Sequence, residues 1–161
     1  MNVFLTDVKE VNGSTIVTAR NELGEVCGIW HFDEAPIKDG TYGIEFTFGG
    51  NEDTDISEIA VVEGKRASFS TDGTTDTFTA VCEDIEEDGD GAVLYLRFSP
   101  DGLEMLAVNE RGRINIGDMV RFSFPCEKVG IYPYRAHHGY TTEIIEPRRN
   151  FKCQWTDLLK T

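Results

Sequence analysis

The chain has 161 residues, 15 basic against 29 acidic side chains, a formal net charge of −14 and 40% hydrophobic residues. That length accommodates one ordinary domain or two small packed ones, with a core that needs no disulfide or metal to form. The acidity disfavours general nucleic-acid binding, because a negative surface repels phosphate, and no apolar run approaches the roughly 18–20 residues of a membrane-spanning helix.

Strand signals dominate the first 134 residues. An opening strand near Val3 leads through the turn pair Asn12-Gly13 to Ile16-Val17-Thr18-Ala19-Arg20, and a turn at Gly24 precedes an extended run through Val26 and Ile29. After Asp39-Gly40, Ile44-Glu45-Phe46-Thr47-Phe48 alternates apolar and polar residues, which puts its three apolar side chains on one face of a strand. Ile56 to Val62 supplies another short strand pattern, Glu63-Gly64-Lys65-Arg66 a polar break, and Ser70 to Asp76 a small, polar stretch suited to a domain boundary. The order then repeats: Phe78, Asp88-Gly89, the strand Val93-Leu94-Tyr95-Leu96-Arg97, Gly102, Met105 and Ala107, Gly117, and Val120-Arg121-Phe122-Ser123-Phe124. Matching turn order and strand phase predict a duplicated β unit in which Phe46/Phe48 and Phe122/Phe124 are equivalent. From Asn150 the period changes, and Phe151, Trp155, Leu158 and Leu159 predict a short amphipathic helix.

Charge is unevenly placed. Up to Glu127 there are 9 basic and 26 acidic side chains, a balance of −17, and the remainder carries +3. Met1 is not followed by a basic region and an apolar stretch, so no secretion signal is expected. Cys27, Cys82, Cys126 and Cys153 stand far apart without a CxxC pair, as free, mostly buried thiols of a reducing, cytoplasmic compartment do.

Tests for chemistry return little. The acidic run from Glu83 to Asp90 meets several calcium-loop requirements when counted from Asp84, but position 12 is Tyr95 where a bidentate glutamate is needed. No Cys/His spacing matches a zinc finger or ribbon, and His137-His138 is expected in a loop between Pro133 and Gly139. There is no Gly-x-Ser-x-Gly elbow. A phosphate-binding loop needs G-x-x-x-x-G-K-[ST]; before Gly64-Lys65 the first glycine is replaced by Ile59, and Arg66 follows. No metal, cofactor or catalytic residue is therefore assigned.

The stretch Phe78 to Gly89, then Leu94-Tyr95-Leu96, then Ile116-Gly117-Asp118 with the strand to Phe124, then Pro125-Cys126-Glu127-Lys128 and Val129 to Tyr132 resembles the transport-associated OB (TOBE) domain. That domain forms the C-terminal regulatory part of ATPase subunits of bacterial ABC importers. The resemblance implies an all-β chain of two tandem OB-like barrels, residues 1–72 and 73–134, followed by a loop and C-terminal helix over 135–161. It further implies a non-catalytic regulatory or ligand-binding module, cytoplasmic or peripheral at the inner face of the membrane through a transporter. Its partners would be an ABC ATPase domain or another protein, a second copy of the chain, or a small effector. Exposed aromatics and cations suggest the ligand face: Trp30, His31, Tyr95, Arg111, Arg113, Tyr132 and Tyr134, since OB barrels bind with stacking groups on one face. The alternative is a stand-alone acidic interaction module, of inhibitor or immunity type, masking a basic partner through its −17 body.

Overall fold

The computed structural model describes residues 1–145, so the C-terminal helix expected from Asn150 onward, and Cys153, lie outside the described residues. Among the described residues every regular element is a strand or a single 3-10 turn, as the alternating apolar pattern requires. In chain order they are β1 (Asn2–Val11), β2 (Ser14–Asn21), β3 (Gly24–Trp30), β4 (Thr41–Phe48), β5 (Ala60–Val62), β6 (Ser68–Thr71), β7 (Thr75–Asp88), β8 (Gly91–Ser99), β9 (Gly102–Val108), β10 (Met119–Pro125), β11 (Val129–His138) and β12 (Thr141–Ile144). The 3-10 turns span Ile56–Glu58 and Cys126–Lys128.

The first four strands form a meander whose fourth member returns to the first. Asn12 and Gly13, with φ of 51° and 80°, make the two-residue turn that suits the twist of the β1–β2 hairpin. β1 pairs with β2 and β4, β2 with β3, and β4 with β11. β11 then meets β3 in parallel at Gly130–Ile29 and Ile131–Trp30. The ring β1-β2-β3-β11-β4 is a closed five-stranded barrel, filled by Val3, Leu5, Val17, Val26, Ile44, Phe46 and Ile131.

Strands β7 to β10 repeat the order and antiparallel pairing of the meander, with an added bulge between Arg97 and Ser99 in β8–β9 that β2–β3 lacks. β1 pairs with β2 from Phe4–Arg20 to Val11–Ser14, with a bulge between Leu5 and Asp7. β7 pairs with β8 from Val81–Arg97 to Asp88–Gly91, with a bulge between Cys82 and Asp84. In both units the residue before the bulge closes the turn preceding the fourth strand. Leu5 donates to Gly40 O and accepts from Asp39 N, while Cys82 donates to Asp118 O and accepts from Gly117 N. The left-handed residue of that turn is Asp39 in one unit and Gly117 in the other.

This register corrects the expected phenylalanine equivalence. Phe4 faces Thr41 and Val81 faces Met119, so Ile44 matches Phe122 and Phe46 matches Phe124. A slide of two residues preserves which face a side chain occupies, so alternation alone could not fix it. The phenylalanines pack against one another instead: Phe48 lies 5.1 Å from Phe122 and 5.9 Å from Phe124, and Phe78 touches both Phe46 and Phe48. One continuous core therefore serves both units.

The outer strands differ from expectation too. β11, placed by sequence at the end of the second barrel, closes the first. β10 is flanked by β7 and by β5, from the segment that follows β4, and Thr54 of that segment bridges Val108 of β9 in parallel. The stretch from Ser70 to Asp76 holds the end of β6 and the start of β7, which form a hairpin, and Phe69, just before it, is buried. His137 and His138 are in strand, not loop, because β12 pairs with the end of β11 and satisfies its main chain. Cys27, Cys82 and Cys126 are free, buried thiols.

Candidate functional site

Two connections cross between the units. One leaves β4 through Gly49 and Gly50, both at positive φ, and the other is the turn Cys126–Lys128 between β10 and β11. They touch where Gly49 N–H donates to Lys128 O at 2.9 Å. Beside this crossing lies a cleft of about 250 Å³. Ile29 and His31 come from the end of β3, Thr47 and Phe48 from β4, Met105 and Ala107 from β9, and Gly130 and Tyr132 from β11. Asn51, Glu52, Glu127 and Lys128 line the remainder.

The parallel β3–β11 pair sets the centre of the cleft. His31 N–H donates to Ile131 O at 2.9 Å, which carries the pairing one residue past Trp30. The His31 and Tyr132 rings then stack with centroids 4.6 Å apart and planes 6° from parallel. Gly130 makes room for this arrangement, because a β-carbon there would collide with Thr47 Oγ1 and crowd both rings. Tyr132 faces Glu45 across the β4–β11 ladder, and burial raises the Glu45 carboxyl above the usual range.

Seven residues were expected to form a ligand face, and the structure brings two of them, His31 and Tyr132, into this cleft. Trp30 points the opposite way, as the period of a strand dictates, and is 6% exposed. Its Nε1 donates to Glu34 O at 3.0 Å and its ring meets Tyr42 edge-on at 5.0 Å. It lines a second cavity, of about 290 Å³, with Phe32, Ile37, Ala136 and Ile144. Tyr134 lies elsewhere, its hydroxyl accepting from the Met1 amine at 3.1 Å. Tyr95 belongs to β8, where its hydroxyl donates to Glu86 at 2.6 Å; that bond, and then burial, push its pKa up to about 12. Arg111 and Arg113 are exposed between β9 and β10, Arg111 pairing with Glu87 at 3.4 Å. None of these last three residues lines the cleft that holds His31.

Comparison with family models, curated proteins and solved structures gave no match for this chain.

The residues missed by sequence reasoning are Thr47, Asn51, Glu52, Met105 and the pair Glu127-Lys128. Only the last had a signal, as the Pro-x-Glu-Lys ending of the family resemblance. The others reach the cleft through the crossing of the two connections, which strand periodicity does not reveal. Chemically the cleft offers an aromatic stack, an ammonium, two carboxylates and an amide over an apolar floor. That is a set of groups for holding a polar ligand or a partner's side chain. Among the described residues no three His, Cys, Asp or Glu side chains are grouped to hold a metal ion.

Proposed function

We propose that the chain is a non-catalytic regulatory or ligand-binding module, similar to the C-terminal TOBE region of ABC importer ATPase subunits and acting on the cytoplasmic side. In this reading both units are OB-like. The second is closed by the segment from Thr54 to Val62, whose bridge to Val108 and pairing with β10 parallel the contacts of β11 with β3 and β4. The closing strands are thereby exchanged: each follows the fourth strand of the other unit.

The observation that carries the reading is the cleft at this exchange. Because both connections line it, an occupant contacts both units at once and can bias their relative placement, which is what a regulatory module must do. The His31–Tyr132 stack supplies a platform and Lys128 with the carboxylates supplies orientation.

The test adds the full chain to an ABC importer ATPase subunit stripped of its own C-terminal domain. Association at micromolar concentration is expected, weakened at least about tenfold by Tyr132→Ala, a loss of ~1.4 kcal/mol. No association in sedimentation at tens of micromolar, or the same affinity in the variant, would overturn the proposal.

A further inference from the structure

Two carboxyl groups of the second unit are buried at its seam with the first barrel, and each is turned onto a main-chain N–H of that barrel. Glu104 of β9 is 3% exposed, and its Oε2 accepts from Phe46 N of β4 at 3.1 Å. Phe46 N–H lies on the edge of β4 beyond the stretch paired with β1, so the carboxyl takes the place of a neighbouring strand. Asp76 of β7 is fully buried, and its Oδ1 accepts from Cys27 N of β3 at 3.1 Å. The thiol of Cys126 lies 3.7 Å from the same oxygen, and Oδ2 has no hydrogen-bond partner.

Glu104 departs from the repeat. Leu96 faces Glu104 in the second unit as Ala19 faces Val26 in the first, so a buried valine occupies the matching place. A carboxyl where an apolar residue suffices costs desolvation, and costs far more when ionised. Its surroundings do little to offset that. Glu104 faces Glu45 and Phe46 of β4, Tyr134 of β11 and the Met1 amine; burial first and then Glu45 raise its pKa well above the usual range. Asp76 faces Cys27, Cys126, Thr71 and Asp72, and burial above all lifts it to about 6.

We propose that Asp76 and Glu104 form a proton-dependent latch between the two units. Protonated, both carboxyls sit neutral in the seam and hold β3 and β4 against the second unit. Ionised, Asp76 becomes a buried negative charge with no cationic side chain beside it among the described residues, Glu104 one that faces only the Met1 ammonium, and the seam loosens. The consequence extends to the cleft, because Cys27 is two residues from Ile29, Phe46 and Glu104 are next to Thr47 and Met105, and Cys126 precedes Glu127. Control of cleft binding rests on the function proposed above; the latch itself does not.

The sign follows from linkage. A carboxyl raised in the folded state contributes stability that is complete below its unfolded value and is lost as pH rises through the folded one. For Asp76 the window runs from 3.8 to about 6. Hydrogen exchange on the native chain, corrected for intrinsic rates, reads the latch directly. Between pH 4.5 and 7.5 the amides of Cys27 and Phe46 should lose at least about tenfold more protection than the amide of Val17, a core position away from the seam. Asp76→Asn and Glu104→Gln should each flatten the dependence at their own amide. Equal changes at all three amides in the native chain would overturn the latch even if neither variant folds, and so would a variant that keeps the full pH dependence. Failure of the ATPase association with the exchange result intact would remove the regulatory reading alone.

Discussion

The first barrel and the second unit share a main-chain plan and differ in what they do with it. The β1–β2 and β7–β8 ladders carry the same bulge at the same place, and the turn before the fourth strand makes the same hydrogen bonds in both. The side chains diverge at the contact between units and on the outer face. Val26 gives way to Glu104 at the seam, and the modest charge of Asp7, Lys9 and Glu10 becomes the acidic run Glu83 to Asp90. The shared backbone geometry is held by main-chain hydrogen bonds that any residue can supply, whereas the side chains differ where one unit covers the other.

Gly24 and Gly102 sharpen that comparison most, since both open the third strand of their unit. Gly24 sits at φ 138°, where a β-carbon would drive into the carbonyl of Phe69 on β6. Gly102 lacks the positive φ, and a β-carbon there would meet side chain alone, Ser99 Oγ at 2.7 Å, Met1 Cε at 2.8 Å and Met1 Cβ at 3.5 Å. Gly24→Ala should cost about 3–5 kcal/mol and Gly102→Ala about 1 kcal/mol or less in urea unfolding. Equal losses would mean that the β3–β6 contact is not formed.

Phe78 tests whether the units are separable. It is completely buried and its ring meets Phe46, Phe48, Phe69, Phe98 and Phe122. Phe78→Ala should cost about 3–5 kcal/mol, and the barrel and the second unit should still melt in a single transition. A first barrel that keeps its native stability while the second unfolds would break the shared-core description. At the small end, Tyr95→Phe removes one partly exposed hydrogen bond to Glu86 and should change stability by less than about 1 kcal/mol, with association through the cleft unaffected.

Much of this fold could be read from residues. The strands around Ile44, Leu94 and Phe122 follow from alternation, and the repeat from the order of turns at Gly24, Gly40, Gly102 and Gly117. What periodicity could not supply was partnership. A two-residue slide leaves the buried face unchanged, so turn order and alternation pair Phe46 with Phe122 although it corresponds to Phe124. The same limit hid the destination of β11, because nothing local tells a strand which of two similar edges it will join. The site suffered accordingly: aromatic residues are visible singly, but Tyr132 meets His31 only because β11 runs beside β3. Asp76 and Glu104 look like ordinary acids in an acidic sequence until the seam covers them.

The proposed exchange of closing strands is most directly tested by main-chain nuclear Overhauser contacts in solution. Contacts of Gly130 and Ile131 with Ile29 and Trp30, together with contacts of Val61 with Val120 and of Thr54 with Val108, are the expected result. Contacts placing Val129 to His138 along Met119 to Pro125, with Ala60 to Val62 along Thr41 to Phe48, would mean two sequential barrels and would contradict it.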